Sequence, residues 1–202
     1  MAGFGFYGKV PSEGDFVTRR LPWEFTAAWD DWLQQGLQAS RAALGARWLE
    51  TYLSAPIWRF QLAPGVCGPQ GWRGLFFASV DRVGRYFPLT LAAADGGPVS
   101  ADALVVDDAA WIAAEDAALA ALAPTLAIDA FDRGVEALAL PGAATPPAGA
   151  SPPRVCLVRP AVDDQPAIVH RFAALPAPER FAQLLSPAAA PPLADTSLLD
   201  LL

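Results

Sequence analysis

The apolar positions of three central segments follow a pattern that predicts neighbouring β-strands. Trp58, Phe60 and Leu62 alternate with other residues, so they share one face of a strand. Two aromatic-rich segments follow, and the connections between the three are short enough for antiparallel hairpins. The predicted strands are residues 57–62, 71–80 and 85–92, and the predicted connections are residues 64–71 and 82–84.

Two further regions, one near each end of the chain, also have strand-like patterns. Near the start, residues 3–10 alternate and contain Phe4, Phe6 and Val10. The residue types at positions 11–14, which follow directly, are typical of a turn. The later strand-like segments are residues 154–158 and 167–172.

The longest helix is predicted between Pro22 and Gly45. Pro22 suits the first position of a helix, and Gly45 is a suitable end. Between them, apolar residues recur at spacings of three and four and form one stripe: Phe25, Trp29, Trp32, Leu33 and Leu37. Shorter helices are predicted at residues 46–53, 107–123, 129–139 and 179–185.

The order of these elements predicts the fold class. One strand, then three, then two are separated by helices, which favours a mixed, largely antiparallel sheet flanked by helices over a doubly wound parallel sheet. We therefore expect an α/β sandwich in a single domain, which a chain of 202 residues can support. We expect the domain to span residues 1–186 and to contain a Pro/Ala/Gly loop at 141–153. Residues 187–202 are Ala/Pro-rich and are expected to form a flexible tail.

The charge and hydropathy of the chain exclude several classes of partner. The net charge is −7 and Lys9 is the single lysine, so the sequence has no cluster of cations that would bind phosphates. We therefore expect neither nucleic acid nor an anionic membrane surface as a partner. The apolar runs are too short for a membrane span, so we expect no direct membrane insertion. The start of the chain has no signal-peptide pattern, and we expect a cytoplasmic protein.

The sequence contains no recognisable catalytic or metal-binding motif. In its Gly-rich start, Gly3 and Gly8 have the spacing of the two glycines in the P-loop motif GxxxxGK[ST]. Lys9, however, is followed by Val10 rather than by serine or threonine. His170 is the only histidine and lies in an apolar run, and no GxSxG motif is present. Cys67 and Cys156 form no CxxC motif and are expected to be buried thiols. We therefore expect a non-catalytic protein without a cofactor or a metal.

Two sequence blocks combine strand residues with glycine, proline and a few charges, as a shaped backbone corner or a docking surface does. The first block is residues 3–16, and the second block is residues 79–90. A hydrogen-bonded pair between an arginine of the second block and Asp15 or Glu13 of the first would lock the blocks together. Direct contact with a protein partner is the alternative, and the sequence leaves both open. The candidate residues are Lys9, Pro11, Gly14, Asp15, Phe16, Asp81, Arg82, Gly84, Arg85 and Tyr86.

The tryptophan content, seven residues, is high. Trp29 and Trp32 lie on the apolar stripe of the longest predicted helix, so we expect them in the core. Tryptophan is also enriched at interface hot spots. Trp23 or Trp72 is therefore a candidate to anchor a protein partner.

Several segments of the chain resemble the TagF (also called ImpM) family of type VI secretion accessory proteins. The resemblance runs through residues 3–92, where the aromatic, glycine and proline positions occur in the family's order. Its segments are GFYGKVPSEGDFVTRRLP, WDDWLQQGLQASRAALG, YLSAPIWRFQLAPGVCG and SVDRVGRYFPLTL. Near the other end, LPAPERFAQLL at residues 175–185 resembles the end of the family's core.

The resemblance implies a cytosolic, non-catalytic protein with an α/β-sandwich fold that represses type VI secretion after translation. The family is linked to a forkhead-associated-domain scaffold of the secretion machine, which is therefore the expected protein partner. The resemblance covers the candidate residues of both blocks, together with Gly8 and Pro88, and implies no catalytic role for them. Two alternatives remain open. One is a small-ligand-sensing or enzymatic domain with a pocket between the blocks, and the other is a structural accessory subunit of the machine.

Overall fold

A central antiparallel sheet organises the structure, a computed structural model that describes residues 3–106, 108–142 and 153–186. The described residues form seven strands in the spatial order β2-β1-β5-β4-β3-β6-β7, and each neighbouring pair is antiparallel. The predicted α/β architecture is confirmed, and so are the predicted hairpins that join the three central strands. The strands are β1 (Gly5–Gly8), β2 (Val17–Arg19), β3 (Trp58–Leu62), β4 (Trp72–Phe77), β5 (Leu89–Ala94), β6 (Val155–Arg159) and β7 (Ile168–Phe172).

Helices cover both faces of this sheet. Three of them pack on one face and three on the other, which gives a three-layer arrangement. None of the described helices is both long enough and apolar enough to cross a membrane. The helices are α1 (Trp23–Leu44), α2 (Trp48–Leu53), α3 (Asp102–Val105), α4 (Ala109–Ala120), α5 (Ile128–Glu136) and α6 (Phe181–Leu185).

The first face of the sheet is covered by α1, α2 and α6 over an aromatic core. The apolar stripe predicted on α1 is buried there, as expected for an amphipathic helix. The ring of Trp29 is fully buried and lies 4.7 Å from the ring of Phe60 and 5.6 Å from that of Phe76, measured between centroids. Helix α6 approaches α1 at Gly36, where an added Cβ would lie 2.3 Å from the ring of Phe181. The absence of a side chain at this position therefore allows the two helices to pack.

The second face is covered by α3, α4 and α5. Helix α4 begins after Asp108, whose carboxylate accepts hydrogen bonds from the backbone N of Ala110 and of Trp111. This is the usual capping arrangement for a helix N-terminus. Trp111 is fully buried, and its Nε1 donates to the carbonyl oxygen of Ala103 over 3.0 Å. The indole therefore anchors α4 to α3 and to the sheet.

The structure contains two short elements that the sequence pattern did not predict. Strand β2 has three residues and helix α3 has four, which is too few for a periodic pattern to be recognised. The strand predicted at residues 85–92 begins only at Leu89, because the residues before it form the loop of the second block. Most of the predicted loop at residues 141–153 and all of the predicted tail at residues 187–202 lie outside the described residues.

Replacing Trp29 with alanine is expected to lower the free energy of unfolding by about 3–5 kcal/mol, because it leaves a large cavity beneath α1. The substitution also removes the hydrogen bond that its Nε1 donates to Oγ1 of Thr90 over 2.9 Å. Urea denaturation followed by circular dichroism measures the change. Leu119→Ala is the control, because Leu119 is 56% exposed and its truncation should cost less than about 0.5 kcal/mol. An equal loss in the two variants would contradict the placement of Trp29 in the core.

Candidate functional site

The two sequence blocks meet at one edge of the sheet, because β1 pairs with β5. The first block leaves β1 through a turn in which the backbone N of Glu13 donates to the carbonyl oxygen of Val10 over 3.1 Å. The second block connects β4 to β5, and the backbone N of Arg82 donates to the carbonyl oxygen of Glu13 over 2.8 Å. The two blocks are therefore neighbours in space, as a lock between them requires. We call this region, residues 9–16 and 79–88, the motif corner.

The carboxylate of Asp81 is the centre of the motif corner. Its Oδ2 accepts a hydrogen bond from Nζ of Lys9 over 2.8 Å and another from Nε of Arg85 over 2.6 Å. Its Oδ1 accepts from the backbone N of Val83 and of Arg85. The side chains of Lys9 and Asp81 are only 6% and 0% exposed. The ion pair therefore lies inside the protein, where the loss of either charge would leave the other one buried without a partner.

The cations around Asp81 keep its carboxylate ionised. Burial by itself would raise the pKa of Asp81, but the hydrogen bonds from Lys9 and Arg85 outweigh this effect. The pKa of Asp81 is consequently held well below its ordinary value. A carboxylate that stays ionised at neutral pH is a poor proton donor or acceptor there, so the geometry favours a structural role for Asp81.

Two glycines of the blocks are required by the backbone. Gly8 has φ of 139°, and an added Cβ there would lie 2.1 Å from the carbonyl oxygen of Pro88. Gly84 has φ of 85° near the tip of the loop between β4 and β5. Both values lie in the region that favours glycine over other residues. These glycines therefore shape the backbone of the two blocks.

The ring of Phe16 covers the buried lysine. Nζ of Lys9 lies 5.0 Å from the ring centroid of Phe16, which is within the range of a cation–π contact. The ring of Phe16 in turn lies 4.8 Å from that of Phe87 and 5.7 Å from that of Tyr7, between centroids. Phe16 is 41% exposed. Its ring therefore shields the lysine from water on one side and presents an apolar edge to solvent on the other.

The residues that lock the blocks together differ from the expected ones. Nη2 of Arg85 lies 4.0 Å from Oδ1 of Asp15, too far for a hydrogen bond, and donates instead to the carbonyl oxygen of Gly14 over 2.5 Å. The expected hydrogen bond between Arg82 and Glu13 does form, but through the backbone, and the locking carboxylate is neither that of Asp15 nor that of Glu13. Asp81 provides it, because the loop directs the Asp81 side chain into the protein while that of Asp15 is 87% exposed.

The remaining candidate residues occupy separate positions. Pro11 is half-buried in the turn that follows β1. Arg82 is exposed, and its guanidinium lies over Gly14, where an added Cβ would be 3.2 Å from Nη2. Tyr86 faces the aromatic core, with its ring centroid 5.8 Å from that of Tyr52 and 5.9 Å from that of Trp48. The structure thus brings the candidates together at the motif corner, except for the side chain of Tyr86.

The histidine and the two cysteines, which are the residues most often used in catalysis, are all buried. His170 lies on β7 with its ring centroid 5.4 Å from that of Trp58, and burial together with the charge of Arg180 lowers the pKa of His170. Burial raises the pKa of Cys67 and of Cys156 to about 12, so both thiols stay protonated and unreactive near neutral pH. Among the described residues, no group of three or more His, Cys, Asp or Glu side chains is placed to hold a metal ion.

A second buried polar cluster, which was not among the sequence predictions, lies on the other face of the sheet. Nη2 of Arg73 lies 2.7 Å from Oδ2 of Asp95, which also accepts from Nε2 of Gln61 over 2.8 Å. Nε of Arg59 donates to Oε1 of Glu115 over 2.7 Å. The polar residues that alternate with apolar ones in β3 and β4 are the sequence feature that could have predicted this cluster. Polar side chains buried beneath a layer of helices must find hydrogen-bond partners. These contacts fix the segment between β5 and α4 to the sheet.

The two candidate anchor tryptophans have opposite environments. Trp72 is only 4% exposed, and its ring centroid lies 4.5 Å from that of Phe25. Its suggested role as a partner anchor is therefore wrong, because its ring is part of the core. Trp23 is 78% exposed and remains available for contact with a partner.

Comparisons with known proteins agree with this architecture. A family model described as the TagF N-terminal domain, type VI secretion system-associated, matches residues 5–138. Among solved structures, the chain is similar to the crystal structure of PA0076 from Pseudomonas aeruginosa PAO1, determined at 2.05 Å resolution, with 32% sequence identity and a TM-score of 0.77. This similarity covers 95% of the present chain and 98% of that chain. A comparison with curated proteins gave no match.

Replacing Asp81 with asparagine is expected to lower the free energy of unfolding at neutral pH by about 3–5 kcal/mol, because it leaves Lys9 buried without its counter-charge. The pKa of Asp81 is lower in the folded state than in the unfolded state. Its ionised carboxylate therefore stabilises the fold fully above the ordinary Asp pKa of about 3.9, and this stabilisation is lost as the pH falls below that value. The difference between wild type and variant should shrink on acidification, as measured by urea denaturation at several pH values.

Asp15→Asn is the matched control for this measurement, because it removes the same charge from an exposed side chain of the same block. Its free energy of unfolding should change by less than about 0.5 kcal/mol. A loss in Asp15→Asn as large as that in Asp81→Asn would contradict the assignment of the locking carboxylate. So would a difference between wild type and Asp81→Asn that does not vary with pH.

Proposed function

The chain belongs to the TagF family of type VI secretion-associated proteins, and we propose that it represses type VI secretion after translation by binding a component of the secretion machinery. In this proposal the chain acts as a binding protein and not as an enzyme. The observation that carries it is the match of a type VI secretion-associated domain to residues 5–138, which include both halves of the motif corner.

Charged side chains of the motif corner bond to one another, and this supports binding rather than catalysis. Lys9 and Asp81 neutralise each other inside the protein, and Arg85 bonds to the same carboxylate. An active site needs an ionisable group that is free to react with a substrate, and the buried pair does not offer one. The corner instead presents a fixed shape to solvent, with an exposed Arg82, a 65% exposed Val83 and the edge of Phe16. Arginine and aromatic side chains are enriched at protein interfaces.

The partner in this proposal is the forkhead-associated-domain scaffold of the secretion machine, and binding takes place in the cytoplasm. A bound scaffold would be withheld from assembly, so repression depends on the amount of the chain relative to the scaffold. An enzyme would repress at a small fraction of that amount, because each molecule would act repeatedly. Secretion measured against the ratio of the two proteins therefore separates binding from catalysis.

Charge reversal at Arg82 and at Arg85 separates a contact role of the motif corner from a purely structural role. Only Arg85→Glu should lower thermal stability, because the Arg85 side chain bonds to Asp81 whereas Arg82 bonds to the first block through its backbone N, which a substitution keeps. If the corner contacts the partner, both variants should bind the scaffold about tenfold more weakly, as for a loss of about 1.4 kcal/mol. Both should also allow more tube protein to be secreted. The measurements are affinity for the purified scaffold and secreted tube protein at equal levels of each variant.

Arg171→Glu is the matched control for these variants, because Arg171 is exposed on β7, at the opposite edge of the sheet. It should bind the scaffold and repress secretion as the wild type does. If Arg82→Glu also behaves as the wild type, the motif corner does not contact the partner. The effect of Arg85→Glu would then be explained by its lower stability.

Repression is expected to survive the loss of the side chains that catalysis would require. His170→Ala and Cys67→Ser should each repress secretion as the wild type does, because neither side chain reaches a reactive arrangement in the fold. Secreted tube protein is measured in cells that carry each variant at equal abundance. Loss of repression in a His170→Ala protein with an unchanged melting temperature would favour an enzymatic function over a binding function.

A further inference from the structure

An open groove lies beside the start of α1, at the edge of the sheet formed by β1 and β2. Its volume is about 390 Å³, and its lining includes Tyr7, Thr18, Trp23, Thr26 and Asp30. This volume is at the small end of the range of ligand pockets. The groove is therefore suited to one long side chain or to a small molecule, rather than to a folded segment of a partner.

Trp23 forms one wall of this groove and is unusually exposed. It is the first residue of α1, and 78% of its surface is accessible to solvent. Trp29, on the buried side of the same helix, is fully buried, so the packing of α1 on the sheet does not account for an indole at position 23. An exposed indole on a regular helix offers a large apolar surface and an electron-rich face. Both features are typical of interface hot spots.

Asp30 places a carboxylate in the groove in a fixed orientation. Its Oδ1 accepts a hydrogen bond from the hydroxyl of Tyr7 over 2.5 Å, and its Oδ2 accepts one from Nε2 of Gln34 over 2.5 Å. Burial, together with the hydrogen bond to Asp30, raises the pKa of Tyr7, so its hydroxyl remains a neutral donor. Neutral donors orient the carboxylate but leave its negative charge in place.

The cations near this edge of the sheet are engaged elsewhere. Lys9 is used within the motif corner. Arg19 and Arg20 approach Asp132 of α5, on the opposite face of the sheet, with nitrogen–oxygen distances of 3.8 and 2.5 Å. Within the described residues, no ion pair includes Asp30. The groove thus combines an exposed indole with a negative charge that no described cation compensates.

The neighbouring edge strand is poorly suited to pairing with a strand of a partner. Strand β2 has only three residues, which provide few hydrogen bonds for an added strand. In addition, Nη1 of Arg19 donates to the carbonyl oxygen of Thr18 over 3.0 Å, and charged side chains of this kind protect sheet edges. Recognition at this edge is therefore expected to use the groove and its side chains.

We propose that the groove binds a lysine or arginine side chain of a protein partner, with the cation held between the indole of Trp23 and the carboxylate of Asp30. This proposal rests on the binding function proposed above and adds a contact point outside the motif corner. The indole attracts the cation through its π face, and the oriented carboxylate forms a charge-assisted hydrogen bond with it. The complementary partner surface is basic, which agrees with the chain's net charge of −7.

A peptide titration tests the groove in the absence of the secretion machinery. The probe is the acetylated and amidated peptide Gly-Arg-Leu-Arg-Gly, and the control peptide carries citrulline, a neutral isostere, in place of both arginines. In two-dimensional NMR spectra of the full chain, the indole N–H signal of Trp23 reports on binding and is assigned by its loss in Trp23→Phe. We expect a saturable shift with the arginine peptide and an affinity at least about tenfold weaker for the citrulline peptide.

Asp30→Asn and Asp31→Asn form a matched pair of variants, because they remove the same charge from adjacent positions of α1. Asp31 is exposed, accepts from Nε2 of Gln35 over 2.8 Å and does not line the groove. Asp30→Asn should weaken binding of the arginine peptide at least about tenfold, and Asp31→Asn by no more than about twofold. Equal effects of the two variants, or equal binding of the two peptides, would contradict the proposal. Equal effects of the variants would indicate general attraction between opposite charges instead.

Secretion measurements distinguish a failure of the groove from a failure of the proposed function. Trp23→Ala and Asp30→Asn should weaken repression, whereas Asp31→Asn and Leu119→Ala should leave it at the wild-type level. Wild-type repression by both groove variants would overturn the groove as a contact point, while the proposed function would stand. A wild-type chain that fails to repress at any abundance would contradict the proposed function, and the peptide titration would still decide whether the groove binds a cation.

Discussion

The buried ion pair between Lys9 and Asp81 is the interaction on which the edge of the sheet depends. Isolated, either charge would be costly inside the protein, so the pair is stable only while both sequence blocks keep their positions. Arg85 adds a third charged group to the same carboxylate and reaches the backbone of the first block at Gly14. The only lysine of the chain is therefore buried, where it stabilises the fold. This explains why the strongest sequence motif contains the charges of Lys9 and Asp81 although neither is presented at the surface.

A second constraint is that helices cover both faces of the sheet. In an antiparallel sheet with one solvated face, the polar half of an alternating strand can face water. Here β3 and β4 lie beneath α3, α4 and the segment before them, so Arg59, Gln61 and Arg73 are buried. Asp95 bonds to two of these side chains, and Glu115 bonds to the third. The polar cluster thus holds an otherwise irregular segment, between β5 and α4, against the sheet.

Much of the fold was predictable from the sequence, because long periodic segments carry their own signal. The stripe on α1 and the alternation around Trp58, Phe60 and Leu62 identified the main helix and the centre of the sheet. Strand β2 was not predictable, because three residues show no period and its pairing with β1 is a tertiary contact. For the site, the sequence predicted which segments of the chain form it but not which side chains bond to each other. Loop geometry, which the sequence does not reveal, decided that Asp81 and not Asp15 is the locking carboxylate. Tertiary packing decided that Trp72, at the start of β4, is buried against α1 while Trp23, at the start of α1, is exposed.

The close packing of α6 on α1 at Gly36 has a consequence for synthesis on the ribosome. Nε1 of Trp32 donates to the carbonyl oxygen of Pro176, a partner 144 residues later in the chain. Strand β6, which pairs with β3, also follows it after a long intervening segment. Contacts between such distant segments close slowly, because the intervening chain must first be ordered. Until β6 and α6 leave the ribosome, the unpaired edge of β3 and the aromatic side chains beneath α1 remain exposed. The nascent chain is thus most vulnerable to aggregation, and most in need of a chaperone, before residues 155–185 have been released.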